Sequence, residues 1–236
     1  MSNTLTIAGR QFRSYFNSAV AYIVICVLLL ALGFLFWKPF FLYERATVRE
    51  MFRWLSLILV FATPAMTMGL IAEEKRTGTI ELLITMPVRD SEVMLGKFLG
   101  VLGLYGVMLA LTIPYPISVS LLGSLDWGPV FTGYFGLALW GGAMLAIGLM
   151  TSSFTDNQLV AFFIALSINF TLWLLGPFLA LLPVEMASFF EWLSFDSHFE
   201  GMQRGVIALR DLVYFLSLAS LSLAIAFRAL ESRRWS

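Results

Sequence analysis

Residues 19–37 read AVAYIVICVLLLALGFLFW, a run without a charged side chain. A helix rises 1.5 Å per residue, so about 20 apolar residues are needed to cross a hydrocarbon layer roughly 30 Å thick. Five further uncharged runs lie along the chain, at residues 54–72, 98–125, 127–155, 157–184 and 212–227. The sequence therefore predicts an all-α, polytopic membrane protein with six transmembrane helices.

The composition agrees with this prediction. Of the 236 residues, 59% are hydrophobic and 13% are charged, whereas a soluble domain has roughly a quarter charged residues. The charges sum to zero at pH 7, so no overall field attracts nucleic acid, and we expect no nucleic-acid partner. The one cysteine, Cys26, excludes an intrachain disulfide. We expect a single transmembrane domain over residues 1–236, surrounded by membrane lipid.

Three of the six runs are longer than one crossing needs, which indicates a tilt, a kink or a turn near an end. Proline removes a backbone donor and can kink a helix. Four prolines lie inside or near the ends of the spans: Pro64, Pro114, Pro116 and Pro177. The sixth run is short, but Arg228 can snorkel toward the interface and so extend that span through Leu230.

Lysine and arginine are distributed unequally between the two sides. An even number of crossings places both termini on one side, which carries Arg10, Arg13, Lys75, Arg76, Arg89, Lys97, Arg228, Arg233 and Arg234. The other side carries Lys38, Arg45, Arg49, Arg53, Arg204 and Arg210. Because these cations favour the cytoplasmic side of a membrane, the excess predicts cytoplasmic N- and C-termini.

Residues 1–18 precede the first span and have helical periodicity. One face is apolar, contains Leu5, Ala8, Phe12, Tyr15 and Phe16, and continues to Ala19 at the start of the first span. The other face is polar, so we predict an amphipathic helix that lies on the cytoplasmic leaflet. A cleaved signal peptide is the alternative, but residues 35–39 at the end of the first run are bulky, charged or cyclic and offer no cleavage site.

The sequence does not indicate catalytic chemistry. No Asp, Glu, His, Lys or Arg lies inside the six runs, which argues against an intramembrane protease, a proton-coupled carrier and a voltage sensor. The one histidine, His198, lies between Asp196 and Glu200 in an outer loop, and we expect it to be solvated. Gly96 and Lys97 do not belong to a phosphate-binding loop, because no glycine stands five residues before Gly96. We therefore predict no catalytic, cofactor-binding or metal-binding residue.

The most polar cytoplasmic segment, residues 73–97, joins the second and third spans. It begins EEKRTGTIELLITMP, with four charged residues before a glycine and a short apolar stripe. Gly78 permits a sharp turn, and Pro87 ends a helix that begins near Thr79. We predict that this short helix lies across the membrane surface. The alternative is an ordinary charged loop that obeys the positive-inside rule.

Two other loops are informative. Residues 151–158 form a short cytoplasmic loop, where Asp156 and Asn157 are predicted to cap the fifth spanning helix rather than to contact a partner. Residues 183–211 form a long outer loop with an amphipathic stretch and a second apolar stretch. We expect partly inserted helices there, and a surface-lying lid with aromatic anchors is the alternative.

Residues 73–83 (EEKRTGTIELL) resemble the segment after the second membrane helix in permeases of the type-2 ATP-binding cassette exporters. Further matching residues follow at Pro87, Val88, Glu92, Leu95, Gly96 and Lys97. The overall plan is similar too, with RGVI at 204–207 before Asp211 and Tyr214 in the last outer loop. The subgroup that the chain most resembles is the gliding-motility-associated permeases.

In that family, this segment docks into a groove on an ATPase subunit, and the permease works as a dimer with two such ATPases. The resemblance implies that the second helix ends in residues that form ion pairs with the ATPase: Glu73, Glu74, Lys75 and Arg76. Gly78 and Thr79 would turn the chain. The docking helix would be seated by Ile80, Glu81, Leu82 and Leu83. ATP and magnesium would bind only in the partner ATPase.

In similar permeases the last outer loop forms re-entrant helices. An exit gate, or a contact for an extracytoplasmic accessory protein, is implied there at Phe189, Phe190, Trp192 and Arg204. The resemblance also implies a multi-pass protein of the bacterial inner membrane.

We predict a non-catalytic permease subunit that dimerises with a second copy or a homologue. It would couple ATP hydrolysis by its partner to movement of a substrate across the inner membrane. The uncharged spans favour an amphipathic, lipid-linked or polymeric substrate. One alternative is a mechanotransmitter that drives an extracytoplasmic protein complex and moves no solute. Another is an energy-independent scaffold, which would leave the charged loop without a purpose.

Overall fold

The computed structural model describes residues 3–43, 47–79, 89–179 and 183–231, which form helices and no strand. In chain order the helices are α1 (Asn3–Phe16), α2 (Ala19–Tyr43), α3 (Arg49–Thr67), α4 (Ala72–Arg76), α5 (Asp90–Thr112), α6 (Pro114–Leu122), α7 (Trp127–Phe154), α8 (Gln158–Phe178), α9 (Val184–Leu193), α10 (Phe195–Gln203) and α11 (Leu209–Glu231). We call the end of the bundle that carries α9 and α10 the outer end, after its predicted location, and α4 lies at the opposite end.

Six helical segments are long and apolar enough to cross a membrane. They are Ala21–Lys38, Arg49–Arg76, Asp90–Leu122, Trp127–Phe154, Gln158–Phe178 and Leu209–Glu231. This confirms the prediction of an all-α protein with six membrane-spanning helices. The long third segment is interrupted at Ile113, and Pro114 begins α6. By contrast, α3 and α8 continue through Pro64 and Pro177.

Helix α7 is the centre of the bundle and contacts α3, α5, α8, α10 and α11. In its most apolar stretch 61% of the residues are buried, against 17% in α8 and 22% in α11. Helices α8 and α11 therefore lie at the rim of the bundle. Trp140 of α7 is fully buried against three aromatic rings, those of Phe195, Phe199 and Phe215. The exposed apolar side chains of the rim suit a lipid environment.

Helix α1 packs along the beginning of α5, and the two helices run parallel. A Cβ atom added at Gly96 or Gly100 would lie 2.8 Å from Ile7 or 2.6 Å from Gln11, so only glycine permits this approach. Tyr15 is buried, and its hydroxyl donates to a backbone carbonyl near the end of α3 at 2.7 Å. One face of α1 therefore packs on the protein itself, and its position on the cytoplasmic leaflet stays a prediction.

Candidate functional site

The second span is broken at residues 68–71, between α3 and α4. The hydroxyl of Ser152 in α7 accepts from the backbone N–H groups of Ile71 and Ala72, at 3.1 Å each, and donates to the carbonyl of Met68 at 2.9 Å. Ser152 is fully buried, so one side chain pairs three backbone groups where helical bonding is interrupted. Residues 73–76 thus form a separate short helix rather than the end of α3.

We expect Ser152→Ala to lower the free energy of unfolding by about 2 kcal/mol, because buried backbone groups lose their partner. Thermal unfolding of the purified protein in detergent measures the change. Ser167→Ala is the control, since Ser167 is exposed and its hydroxyl bonds only within α8, to the carbonyl of Phe163. Equal melting temperatures for the two variants would contradict this role of Ser152.

A buried ion pair joins α4 to α5. Lys97 is 4% exposed, and its Nζ lies 2.7 Å from Oε1 of Glu74 and 2.7 Å from the carbonyl oxygen of Leu70. A charge removed from water needs partners of this kind. Lys97 therefore holds both α4 and the preceding break against α5.

The other charged side chains of α4 also bond within the chain. Glu73 accepts from Arg76 at 2.6 Å through one oxygen, and through the other it accepts from the amide of Gln158 at the start of α8. The ammonium of Lys75 donates to the carbonyl of Ser153 near the end of α7. The four charged residues that the resemblance assigned to the ATPase thus form internal contacts, which tie α4 to α5, α7 and α8.

Gly78 turns the chain after α4, as predicted. Its φ of +71° lies in the left-handed region, which favours glycine. The hydroxyls of Thr77 and Thr79 donate to the carbonyls of Glu73 and Glu74, at 2.9 and 3.4 Å. Four residues predicted to seat the docking helix lie outside the described residues: Ile80, Glu81, Leu82 and Leu83.

A cavity of about 420 Å³ lies between α4 and the loop that precedes α8. It is lined by Arg76, Asp156, Asn157, Gln158 and Leu159. Asn157 caps α8, because its side-chain oxygen accepts from the N–H of Leu159 at 2.9 Å. This confirms the cap at Asn157, whereas Asp156 lines the cavity and places an anion near the cation of Arg76.

The histidine at the outer end is buried, so the prediction of a solvated residue was wrong. His198 is 1% exposed, with Nδ1 at 2.8 Å from Oδ1 of Asp211 and Nε2 at 3.0 Å from the carbonyl oxygen of Trp192. Its ring stacks on that of Tyr214, with centroids 4.0 Å apart. The packing of α10 on α7 removes this side chain from water.

Three of the predicted gate residues lie on α9 at the outer end, and the fourth directly follows α10. Phe189 and Trp192 are more than 60% exposed on α9, and the ring of the half-buried Phe190 lies 5.5 Å from that of Phe189. Arg204 follows α10 and pairs with Glu200. Three aromatic residues therefore share α9, while Arg204 is held by α10.

One polar contact inside the spans was missed in the sequence. Asn169 of α8 is fully buried and its amide donates to the hydroxyl of Thr63 in α3 at 3.4 Å. Its side-chain oxygen has no hydrogen-bond partner within the described ranges. A search for ionisable residues does not find a neutral amide. A lone Asn in an apolar run could still have been used to predict a hydrogen bond between two spanning helices.

A family model for the ABC-2 family transporter protein matches residues 40–231, which contain the α3–α4 break, the ion pair of Lys97 and the buried His198. No match was found among curated proteins. Because the family match covers well over half of the 236 residues, the chain belongs to the ABC-2 family, whose members are the membrane subunits of ATP-binding cassette transporters.

Proposed function

We propose that residues 73–97 of this exporter permease receive the movement of a partner ATPase and pass it to the spans. The supporting observation is that α4 is bonded to three spans at once. Lys97 links it to α5, Ser152 links it to α7 and Gln158 links it to α8. A displacement of such a short helix would pull on all three spans through these bonds. Transmission of movement from the ATPase to the spans requires such links.

Some side chains of this segment face the bundle, and others face solvent. Glu74 and Lys75 bond inward and would transmit force to the bundle. Arg76 and Thr79 are exposed and would meet the ATPase. Residues 80–83, of which Glu81 is the charged one, would seat the docking helix in the manner that the family resemblance implies.

We infer that the substrate is amphipathic, lipid-linked or polymeric. Asn169 and Thr63, which are buried inside the bundle, are neutral. The buried ionisable side chains Lys97, His198 and Asp211 are paired within the chain, so the described residues offer a small charged solute no free counter-charge. The same proposal includes outward transport across a bacterial inner membrane and cytoplasmic termini. It also includes a dimer with a second copy or a homologue, and membership of the gliding-motility-associated subgroup.

We expect Glu81→Lys to leave insertion intact and to reduce stimulation of the ATPase at least about tenfold, because a reversed charge opposes docking. Co-purification in mild detergent with the ATPase encoded beside this gene, followed by ATP turnover, measures the effect. Glu50→Lys is the control, since it reverses an exposed charge at the opposite end of α3. Normal coupled turnover in Glu81→Lys would contradict the docking assignment, and a wild-type chain that neither binds nor affects the ATPase would favour a scaffold.

We expect the double variant Phe189→Ser/Phe190→Ser to impair transport and to leave ATPase binding unchanged, because both residues lie at the outer end. Phe163→Ser is the control, since Phe163 is also exposed but lies on the rim helix α8. Wild-type transport by the double variant would remove the gate. Saturable stimulation of ATP turnover by a cargo distinguishes export from mechanotransmission to an extracytoplasmic partner.

A further inference from the structure

Both ring nitrogens of His198 face oxygen atoms at hydrogen-bond distance. Nε2 faces the carbonyl of Trp192, and a carbonyl oxygen only accepts, so Nε2 carries a hydrogen. Nδ1 faces the carboxyl group of Asp211 at 2.8 Å, and an ionised carboxylate also only accepts. A hydrogen must therefore lie between Nδ1 and Oδ1 too. The two contacts are therefore both hydrogen bonds only when the pair holds one proton more than a neutral imidazole and a carboxylate hold together.

We propose that this shared proton closes a latch at the outer end of the bundle. His198 lies on α10, Asp211 on α11 and Trp192 on α9, so the protonated pair joins three helices through two hydrogen bonds. Loss of the proton removes one of the bonds that hold α9, which carries the predicted aromatic gate residues. This switch lies within the chain and goes beyond the proposed coupling function, because it needs neither the ATPase nor a cargo.

The chemistry of the neutral ring explains why α9 is the helix that loses a hydrogen bond. A neutral imidazole has one N–H and can serve only one of its two acceptors. The bond to the carboxylate of Asp211 is charge-assisted and therefore stronger, so the ring keeps it and gives up Trp192. The hydroxyl of Tyr214 still donates to the carbonyl of Leu193 at 2.6 Å. Helix α9 is then held by one of these two bonds instead of both.

The other charged residues of α11 and α9 do not account for a change in the hydrogen bonds of His198. Arg210 of α11 has Nε at 3.6 Å from Oδ1 of Asp211 and is 63% exposed. On α9, Glu191 is exposed to solvent. Helices α7 and α8, which pack against α10, contain no charged residue. The stacked ring of Tyr214 adds no charge near neutral pH.

Asp196 of α10 is the nearby acid that needs a control. It lies two residues before His198, and burial raises its pKa, as does the charge of Glu200, while Arg53 of α3 lowers it. Asp196→Asn should keep the pH response of the wild-type protein. If this variant loses the response, the titrating group is Asp196 and the latch proposal fails.

Cysteine labelling with a charged methanethiosulfonate measures the release of α9 in detergent-purified protein, on a Cys26→Ser background. Leu193→Cys probes the half-buried end of α9, and Phe189→Cys is the control because it is exposed on the same helix. Both thiols react as thiolates, so the ratio of the two rates is compared with the same ratio on the Asp211→Asn background, which accounts for any difference between the two thiols. We expect the ratio to rise about fivefold as the proton is lost, the change that one net hydrogen bond produces.

The variant Asp211→Asn distinguishes loss of the His198–Trp192 bond from a general destabilisation of the bundle at alkaline pH. The asparagine amide can donate to Nδ1, so the neutral ring keeps its Nε2–H on Trp192 at every pH. We expect a low labelling ratio that does not change with pH. Because the chain has one histidine, ¹⁵N NMR of the ring reports its protonation without ambiguity. The proposal is overturned if the ring keeps one protonation state while the wild-type ratio changes, if the ring changes its protonation state and the wild-type ratio stays constant, or if Asp211→Asn keeps the response.

Discussion

Replacing Lys97 by Met is expected to lower the free energy of unfolding by about 3 kcal/mol and to uncouple the bundle from the ATPase. Removing one partner of a buried ion pair costs about 3–5 kcal/mol. The side chain of Glu74 is 21% exposed, which places the cost at the lower end. Its second oxygen is buried without a hydrogen-bond partner in the part of the chain that the structure describes, and the carbonyl of Leu70 also loses its donor. Thermal unfolding and ATP turnover measure the two effects.

Two matched variants test whether the ion pair itself is responsible. Arg76→Ala removes the partner of Glu73 in an exposed pair, and such pairs contribute little, so stability should not change. Lys97→Met combined with Glu74→Gln removes both charges and should recover part of the lost stability. A double variant no more stable than Lys97→Met would show that something other than this pair holds α4.

Gly141→Ala is expected to lower the free energy of unfolding by about 3 kcal/mol, because the centre of the bundle has no room for a methyl group. The new Cβ would lie 2.1 Å from Cζ of Tyr105 and 2.3 Å from its hydroxyl oxygen. Tyr105 is buried and donates to the carbonyl of Leu137 at 2.7 Å, so its ring cannot move without breaking that bond. Overpacking and a lost buried hydrogen bond each cost about 1–3 kcal/mol.

The neighbouring residue supplies the control for this prediction. A Cβ at Gly142 would meet nothing within 4 Å. Gly142→Ala should therefore be neutral or stabilising by up to about 1 kcal/mol, since alanine favours a helix over glycine. Thermal unfolding in detergent compares the two variants. Tyr105→Leu should partly rescue Gly141→Ala, and equal melting temperatures for the two alanine variants would contradict the steric argument.

The spanning helices could be predicted because membrane thickness fixes both their length and their composition. The uncharged run at 127–155 corresponds to α7 within one residue. Breaks were harder to predict. Pro114 does mark the interruption between α5 and α6, but Pro64 lies inside a continuous helix. The interruption at residues 68–71 contains no proline and depends on Ser152, which is about 80 residues away.

The partners of the buried charged residues could not be predicted from local pattern. The sequence marked residues 73–79 as unusual, but the role of Lys97 appears only when α5 packs beside α4. For His198 the neighbouring acids Asp196 and Glu200 were misleading, because the partner is Asp211, thirteen positions further along. Helical periodicity reports which face of a helix is apolar, and it does not report which other helix that face meets.

The contact between α1 and α5 sets an order of events during synthesis. Ile7 and Gln11 leave the ribosome roughly 90 residues before Gly96 and Gly100, and at 5–20 residues per second this is a delay of roughly 4–18 s. Helix α1 must therefore wait outside its final position until α5 has been inserted. The N-terminal helix therefore packs on a helix that is synthesised about 90 residues after it. A bulky N-terminal fusion that blocks this return would trap a half-assembled chain with every span already inserted.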